Sequence, residues 1–148
     1  MSLKIRRAKS ADFNKIVHLY GSVGDSPTDP FSNVGRLRKL NQTNLLIAER
    51  EGDFAGFLYY VVHRRPWFDL NVEQYAWIQE LHVTPKFQGM GIGTALLNNA
   101  LSRIRRRRIS VVYVETGEEN KIALHVYRKA GFKDLRKTIT LKLNAKTT

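Results

Sequence analysis

The sequence predicts an α+β fold organised as one domain over residues 1–148, and three observations predict it. First, two apolar β-rich runs, 45–49 and 55–62, are separated only by Glu51-Gly52-Asp53, the signature of an antiparallel hairpin. Second, a strand at 75–83 passes through a glycine-rich turn into an amphipathic helix and then into the β-branched run Ile109-Ser110-Val111-Val112-Tyr113-Val114-Glu115, a strand–helix–strand crossover. Third, neither an internal repeat nor a linker-like stretch interrupts the chain, and 43% apolar residues in 148 suffice for one sizeable core.

Taken in order, residues 3–8 form a short strand. Ser10 or Asp12 can cap a helix running to about Tyr20, with Ile16, Val17, Leu19 and Tyr20 as its apolar side. Residues 21–30 are a loop by composition, and 31–40 a weaker helix. After the hairpin, residues 63–71 insert before the 75–83 strand. The helix from about Gly91 to Arg106 presents Ile92, Leu96, Ala100 and Ile104, flanked by Leu97 and Leu101. Residues 109–115 have the pattern of a central strand covered on both faces. Asn120 opens a last helix that stops at Gly131, and residues 138–143 form the final strand.

Composition narrows the function. Without cysteine, disulfides, thiol nucleophiles and thiolate metal sites are excluded, and the four histidines lack metal-ligand spacing. No apolar run spans a membrane, and the start of the chain lacks a signal-peptide core, so a cytoplasmic protein is expected. The net charge of +12 suits phosphate-bearing ligands, nucleic acid or acidic surfaces. Arg103, Arg105, Arg106, Arg107 and Arg108 supply much of it, yet they fall at a helix C-terminus, where they complement the helix dipole.

The chemistry gathers at residues 78–97. A glycine turn before a helix leaves the first N–H groups unpaired at the positive end of the dipole, a place for an anion and most often a phosphate. A P-loop is excluded because Gly93 is followed by Thr94-Ala95 rather than by Lys-Ser/Thr. A dinucleotide fingerprint fails on spacing, Gly89-x-Gly91-x-Gly93, and on position in the chain.

What does match is Gln88-x-x-Gly91-x-Gly93 after Val83-Thr84-Pro85, together with Asn120-x-x-Ala123-x-x-Val126-Tyr127-x-x-Ala130-Gly131-Phe132. With Ile5-Arg6-Arg7-Ala8 and Asp12 at the start, the chain resembles the GNAT acetyltransferase superfamily along almost its whole length. The resemblance implies a mixed, mostly antiparallel sheet of about six or seven strands flanked by about four helices. It also implies acetyl-CoA as co-substrate, no metal, and acetyl transfer to an amine. By position, the N–H groups of Gly89, Met90, Gly91, Ile92, Gly93 and Thr94 would hold the pyrophosphate and Gln88 would brace the turn. Leu81, His82 and Val83 would pair with the pantetheine arm and polarise the thioester carbonyl. Asn120 would touch the pantetheine, and Arg128 or Lys86 the CoA phosphates.

Direct attack by an amine needs a base, a polarised carbonyl and an acid for the leaving thiolate. Tyr127 is the expected acid, since a phenol stays protonated at neutral pH. Glu80 and Glu115 are both candidate bases, and the sequence does not choose between them. His82 and His18 are weaker ones. Trp67, Phe68 and Tyr75 could wall the acceptor site, or simply pack the hairpin against the body. The short segment after Phe132 suggests an accessible acceptor, either a small-molecule amine or a peptide amine. An N-terminal or ribosomal-protein acetyltransferase is the alternative, for which Glu115 and the basic surface speak. A basic RNA-binding or acyl-CoA-sensing protein is the reading from another class, with nucleic acid less favoured as a partner because no aromatics interleave the arginines. A homodimer is compatible with all of these.

Overall fold

A computed structural model describes residues 2–22, 29–69 and 71–146. The expected loop at 21–30 lies largely outside the described residues, as does Leu70 of the insertion. Five strands form one sheet in the order β1-β2-β3-β4-β5: β1 Leu3–Arg7, β2 Leu45–Arg50, β3 Asp53–Arg64, β4 Gln74–Val83 and β5 Val112–Val114. The first four pair antiparallel, and β5 joins β4 in parallel after a crossover through a helix. Four helices flank the sheet: α1 Phe13–Ser22, α2 Val34–Leu37, α3 Ile92–Arg106 and α4 Lys121–Lys129.

The β2–β3 hairpin closes on Glu51-Gly52, both at positive φ, the two-residue turn whose twist suits the flanking strands. Pleat alternation then loads both faces of the sheet. Leu46, Ala48, Leu58 and Tyr60 pack beneath α3 with Leu96, Leu97, Ala100 and Ile104. Leu45, Ile47, Phe57 and Tyr59 pack beneath α1 and α2 with Phe13, Ile16, Phe31 and Leu37. Asp12 caps the helix start not as the N-cap residue but as the acidic member of a capping box with Lys9. Its carboxylate is buried, accepting from the Lys9 N–H at 2.7 Å and from Arg6 at 2.7 and 2.8 Å, while Arg6 also bonds Glu49 at 2.6 Å.

Three further expectations are corrected. The weak helix over 31–40 contracts to the single turn of α2, preceded by a 3-10 turn at Pro30–Ser32. The strand predicted at 109–115 forms only at Val112–Val114, and there it is a half-buried sheet edge rather than a doubly covered centre. It has one strand neighbour, so its β-branched residues are covered only in part. Among the described residues no strand forms at 138–143, and the sheet therefore has five strands, not six or seven. The last helix closes as expected. Gly131 takes φ +107, its N–H bonds the Arg128 carbonyl, and the Phe132 N–H reaches Tyr127, a Schellman cap.

Candidate active site

The site is created by two strands that part. β4 and β5 pair only from Ala76–Val112 to Ile78–Val114, whereas β4 continues against β3 as far as Val83. On the side away from β3, the edge of β4 from Gln79 to Val83 therefore has no strand beside it among the described residues. An unpaired edge carries N–H and C=O groups ready for an extended ligand. Gly56 sets the opposite side of this segment. A Cβ there would collide with the His82 carbonyl, so only glycine lets β3 lie this close to the end of β4.

A β-bulge decides which side chains enter the gap. Tyr60 pairs with Ile78 but Tyr59 with Glu80, leaving Gln79 as the extra residue. Without it Glu80 would share the α3 face with Ala76 and Ile78. With it, Leu81 and Val83 face the α3 core, while Glu80 and His82 turn to the other side. There His82 Nε2 and Glu80 Oε2 lie 3.2 Å apart, both side chains about four-fifths buried. The His82 ring is fixed by Phe57 at 5.2 Å and by the edge of Tyr20 at 5.7 Å.

Beyond Val83 the chain turns into α3. The Thr84 N–H and hydroxyl both reach the Ala55 carbonyl, and Gln88 donates from Nε2 to the Val83 carbonyl at 3.2 Å. Gly89 and Gly91 take φ +77 and +80, which explains glycine at both. Gly93 is different. Its φ is not positive, and a Cβ would lie an ordinary 3.7 Å from Val83. Neither backbone strain nor packing requires a bare residue there. No side chain caps α3, so the N–H groups of its first turn face outward beside the open β4 edge.

Tyr127 reaches the region from α4. It is buried against the ring of Phe132, 5.7 Å away. Burial, and then the charge of Glu80, push its phenol up to about 12. Glu80 and Tyr127, from opposite sides of the sheet, are thus electrostatically coupled at the gap. Glu115 is exposed just past the last residue of β5. Asn120 spends its Oδ1 capping α4 at the Ala123 N–H, and Arg128 forks onto Asp134 at 3.0 Å. His18 and Lys86 line a separate groove with Lys15, Phe54 and Pro85.

Trp67, Phe68 and Tyr75 form a continuous cluster with two aromatics that were missed in the sequence, Trp77 and Tyr113. Phe68 meets Tyr113 edge-on at 4.9 Å and Tyr75 meets it at 5.3 Å. Trp77 and Tyr113 are register partners across the β4–β5 pair, and the bulge places Trp77 on the face of Glu80. Strand parity from Tyr75 would have included Trp77. The pairing of Tyr113 required the sheet order. Exposed Trp67 and half-buried Phe68 hold the Arg136 guanidinium at 4.5 Å from each ring centre, so this surface already binds a cation. Among the described residues no cluster of three His, Asp or Glu side chains could hold a metal, and no helix is long and apolar enough to cross a membrane.

The sheet thus splits beside a glycine-lined helix start. The chain matches the model of the acetyltransferase (GNAT) family over residues 11–132 and belongs to that family. Among its relatives, a mycothiol acetyltransferase of Cellulomonas flavigena is 37% identical over 89 residues, 59% of this chain but 26% of that protein. An uncharacterized N-acetyltransferase of Methanocaldococcus jannaschii is 35% identical over 66% of this chain and 42% of its own length. The chain thus spans less than half of either relative. An N-alpha-acetyltransferase of Sulfurisphaera tokodaii is 24% identical over 90% of this chain and 81% of that protein. An aminoglycoside acetyltransferase from an uncultured soil metagenomic sample shares the fold, with a TM-score of 0.72 at 23% identity over 97% of both chains.

Proposed function

We propose that this chain moves the acetyl group of acetyl-CoA to a primary amine, the amine attacking directly while both substrates are bound. One observation carries the reading: the unpaired β4 edge at Gln79–Val83 runs straight into an uncapped, glycine-lined helix start, with Glu80 and Tyr127 at the same gap. An extended amide chain ending in a pyrophosphate is the ligand that fits such a run. Gly93, bare without a packing or backbone reason, supports close approach of that ligand.

Acetyl-CoA would supply an activated acyl group, and the chain's residues do the rest. N–H groups of Gly89 to Thr94 hold the pyrophosphate, and the Gln88 bond keeps the turn folded toward it. Leu81 to Val83 offer backbone groups to the pantetheine, and one N–H there polarises the carbonyl. Glu80, steadied by His82, accepts the amine's proton. We prefer it to Glu115 because its side chain is largely buried and coupled to Tyr127, whereas Glu115 is exposed. That coupling has a consequence. While Glu80 is charged, the Tyr127 phenol lies far above the ~8.5 of a thiol and is a reluctant donor. Once Glu80 has taken a proton, the smaller of the two causes of that elevation disappears while burial, the larger, remains, so donation toward the departing sulfur becomes easier than before. Asn120 caps α4 and Arg128 pairs with Asp134 beside the site.

The aromatic cluster on the Glu80 face favours an acceptor amine with a cationic or apolar body, a small molecule or an exposed peptide end. The Sulfurisphaera relative, aligned over most of the chain, keeps an N-terminal α-amine as the second reading. Thiol release from acetyl-CoA across a panel of amines tests the activity, and no release with any amine together with no acetyl-CoA binding would refute it. Tyr127→Phe should lower turnover by about 100-fold or more with acetyl-CoA affinity kept. Because the wild-type phenol stays protonated to about pH 12, Tyr127 should impose no alkaline limb on the rate below pH 11. Unchanged turnover in the variant would remove it from the chemistry.

A further inference from the structure

Arg136 is placed unlike the basic residues near it in the chain. Those find carboxylates: Arg128 forks onto Asp134, and Lys137 meets Glu118 at 3.0 Å. Arg136 takes part in none of the ion pairs among the described residues. Its guanidinium sits instead 4.5 Å from the ring centres of both Trp67 and Phe68, which lie 5.4 Å apart at 88° to one another. Two perpendicular rings thus form a cage that holds a cation without an ion-pair partner. Phe68 is fixed by Tyr113 at 4.9 Å and by Trp77 at 6.4 Å, whereas Trp67 stays 76% exposed and leaves the cage open to solvent. The Tyr113 hydroxyl donates to Asp69 at 3.2 Å and so keeps a carboxylate next to Phe68, a further attraction for positive charge. Through Trp77 the cage is continuous with the face that carries Glu80. Three residues separate Trp77 from Glu80, ~10 Å along a strand, which sets the guanidinium roughly 10–20 Å from the Glu80 carboxylate.

We infer that the Trp67–Phe68 cage takes a second positive charge of the acceptor, and that Arg136 fills the cage until the acceptor displaces it. This rests on the acetyl transfer proposed above and narrows its acceptor class. The acceptor is an extended amine with a further ammonium or guanidinium group roughly 10–20 Å from the nitrogen that is acetylated. Arg136 is then an intramolecular competitor and a determinant of specificity. A singly charged amine gains nothing by displacing it, because the charge taken from the rings is not replaced. Displacement is also easy. A cation on exposed rings is held by no more than a few-fold in affinity, and residues 132–144 form neither helix nor strand, so Arg136 can withdraw without disturbing the sheet.

Steady-state kinetics on α,ω-diamines from diaminobutane to diaminododecane, each set against the n-alkylamine of equal length, tests this. The longer diamines should exceed their monoamines in kcat/KM by at least about fivefold, chiefly through KM, well beyond the factor of about two that a second reactive end supplies. Trp67→Ala should cut that advantage to about twofold. Arg136→Gln should lower the diamine KM about threefold with kcat kept, whereas Lys133→Gln, which removes an equal charge from the same stretch, should not. Binding can be read apart from chemistry with decamethylene-bis(trimethylammonium), whose nitrogens cannot be acetylated. In a Trp77→Phe background Trp67 is the sole tryptophan. Its fluorescence should respond to this probe at lower concentration than to decyltrimethylammonium, and at lower concentration still once Arg136→Gln is added. A fluorescence response without thiol release from acetyl-CoA for any amine refutes the proposed reaction and retains the cage as a cation site. Equal use of diamines and monoamines overturns the inference, as does a preference that survives Trp67→Ala. An Arg136→Gln variant with unchanged diamine KM and unchanged fluorescence response overturns it equally.

Discussion

The strand–turn–helix from β4 to α3 and the strand–helix–tail from β5 onward are written in the same local alphabet, but they are buried very differently. In the first, six α3 residues are buried against the sheet core, and the helix start stays open without loosening the helix. In the second, a three-residue edge strand and a helix with one buried residue support a tail that exposes its apolar side. The contrast separates two ways of leaving backbone unpaired. At the α3 turn and the β4 edge, open groups sit on a rigid platform, as a ligand site requires. At β5 and the tail, they sit on elements that are themselves only partly packed.

Substitutions sharpen the contrast, beginning with the largest effect. Leu97→Ala, in the fully packed half, should cost about 3–4 kcal/mol by denaturant unfolding. Arg6→Ala should come next, at about 3 kcal/mol, because it strands a buried carboxylate. The same pair sets an acid limit. Burial pushes Asp12 up, but the Arg6 guanidinium and the Lys9 N–H outweigh it and hold the carboxyl below its usual range. A carboxyl depressed on folding gives stability that is complete above the unfolded value near ~3.9 and fades as pH falls below it. Wild-type stability should therefore drop below pH 4, and Arg6→Ala should flatten that drop. Val114→Ala, in the unfinished half, should cost only about 1 kcal/mol.

Much of the site was legible in the sequence because glycine turns are local. Gln88, Gly89, Gly91 and Gly93 announce an open helix start whatever surrounds them, and the Asn120 cap and Gly131 stop are equally local. The direction of Glu80 was not legible, since the bulge at Gln79 is settled by pairing with Tyr59 and Tyr60, some 20 residues earlier. Alternation and β-branching predicted strands at 109–115 and 138–143, but alternation does not say what lies alongside. The central strand expected at 109–115 is a short edge at Val112–Val114, and among the described residues no strand forms at 138–143. Arg128 illustrates a similar limit for charge: its suitability for a phosphate was visible, its exposed pair with Asp134 was not.

The central claim is that the first turn of α3 binds the pyrophosphate of acetyl-CoA, and Thr94→Glu tests it most directly. A carboxylate in the first turn of a helix complements the dipole, so the variant should unfold at the same or a slightly higher temperature, a gain of about 0.3–1 kcal/mol. The same charge confronts the pyrophosphate. Calorimetric titration with acetyl-CoA should show affinity weakened at least tenfold in a protein of undiminished stability, whereas unchanged affinity would place the cofactor elsewhere and contradict the account.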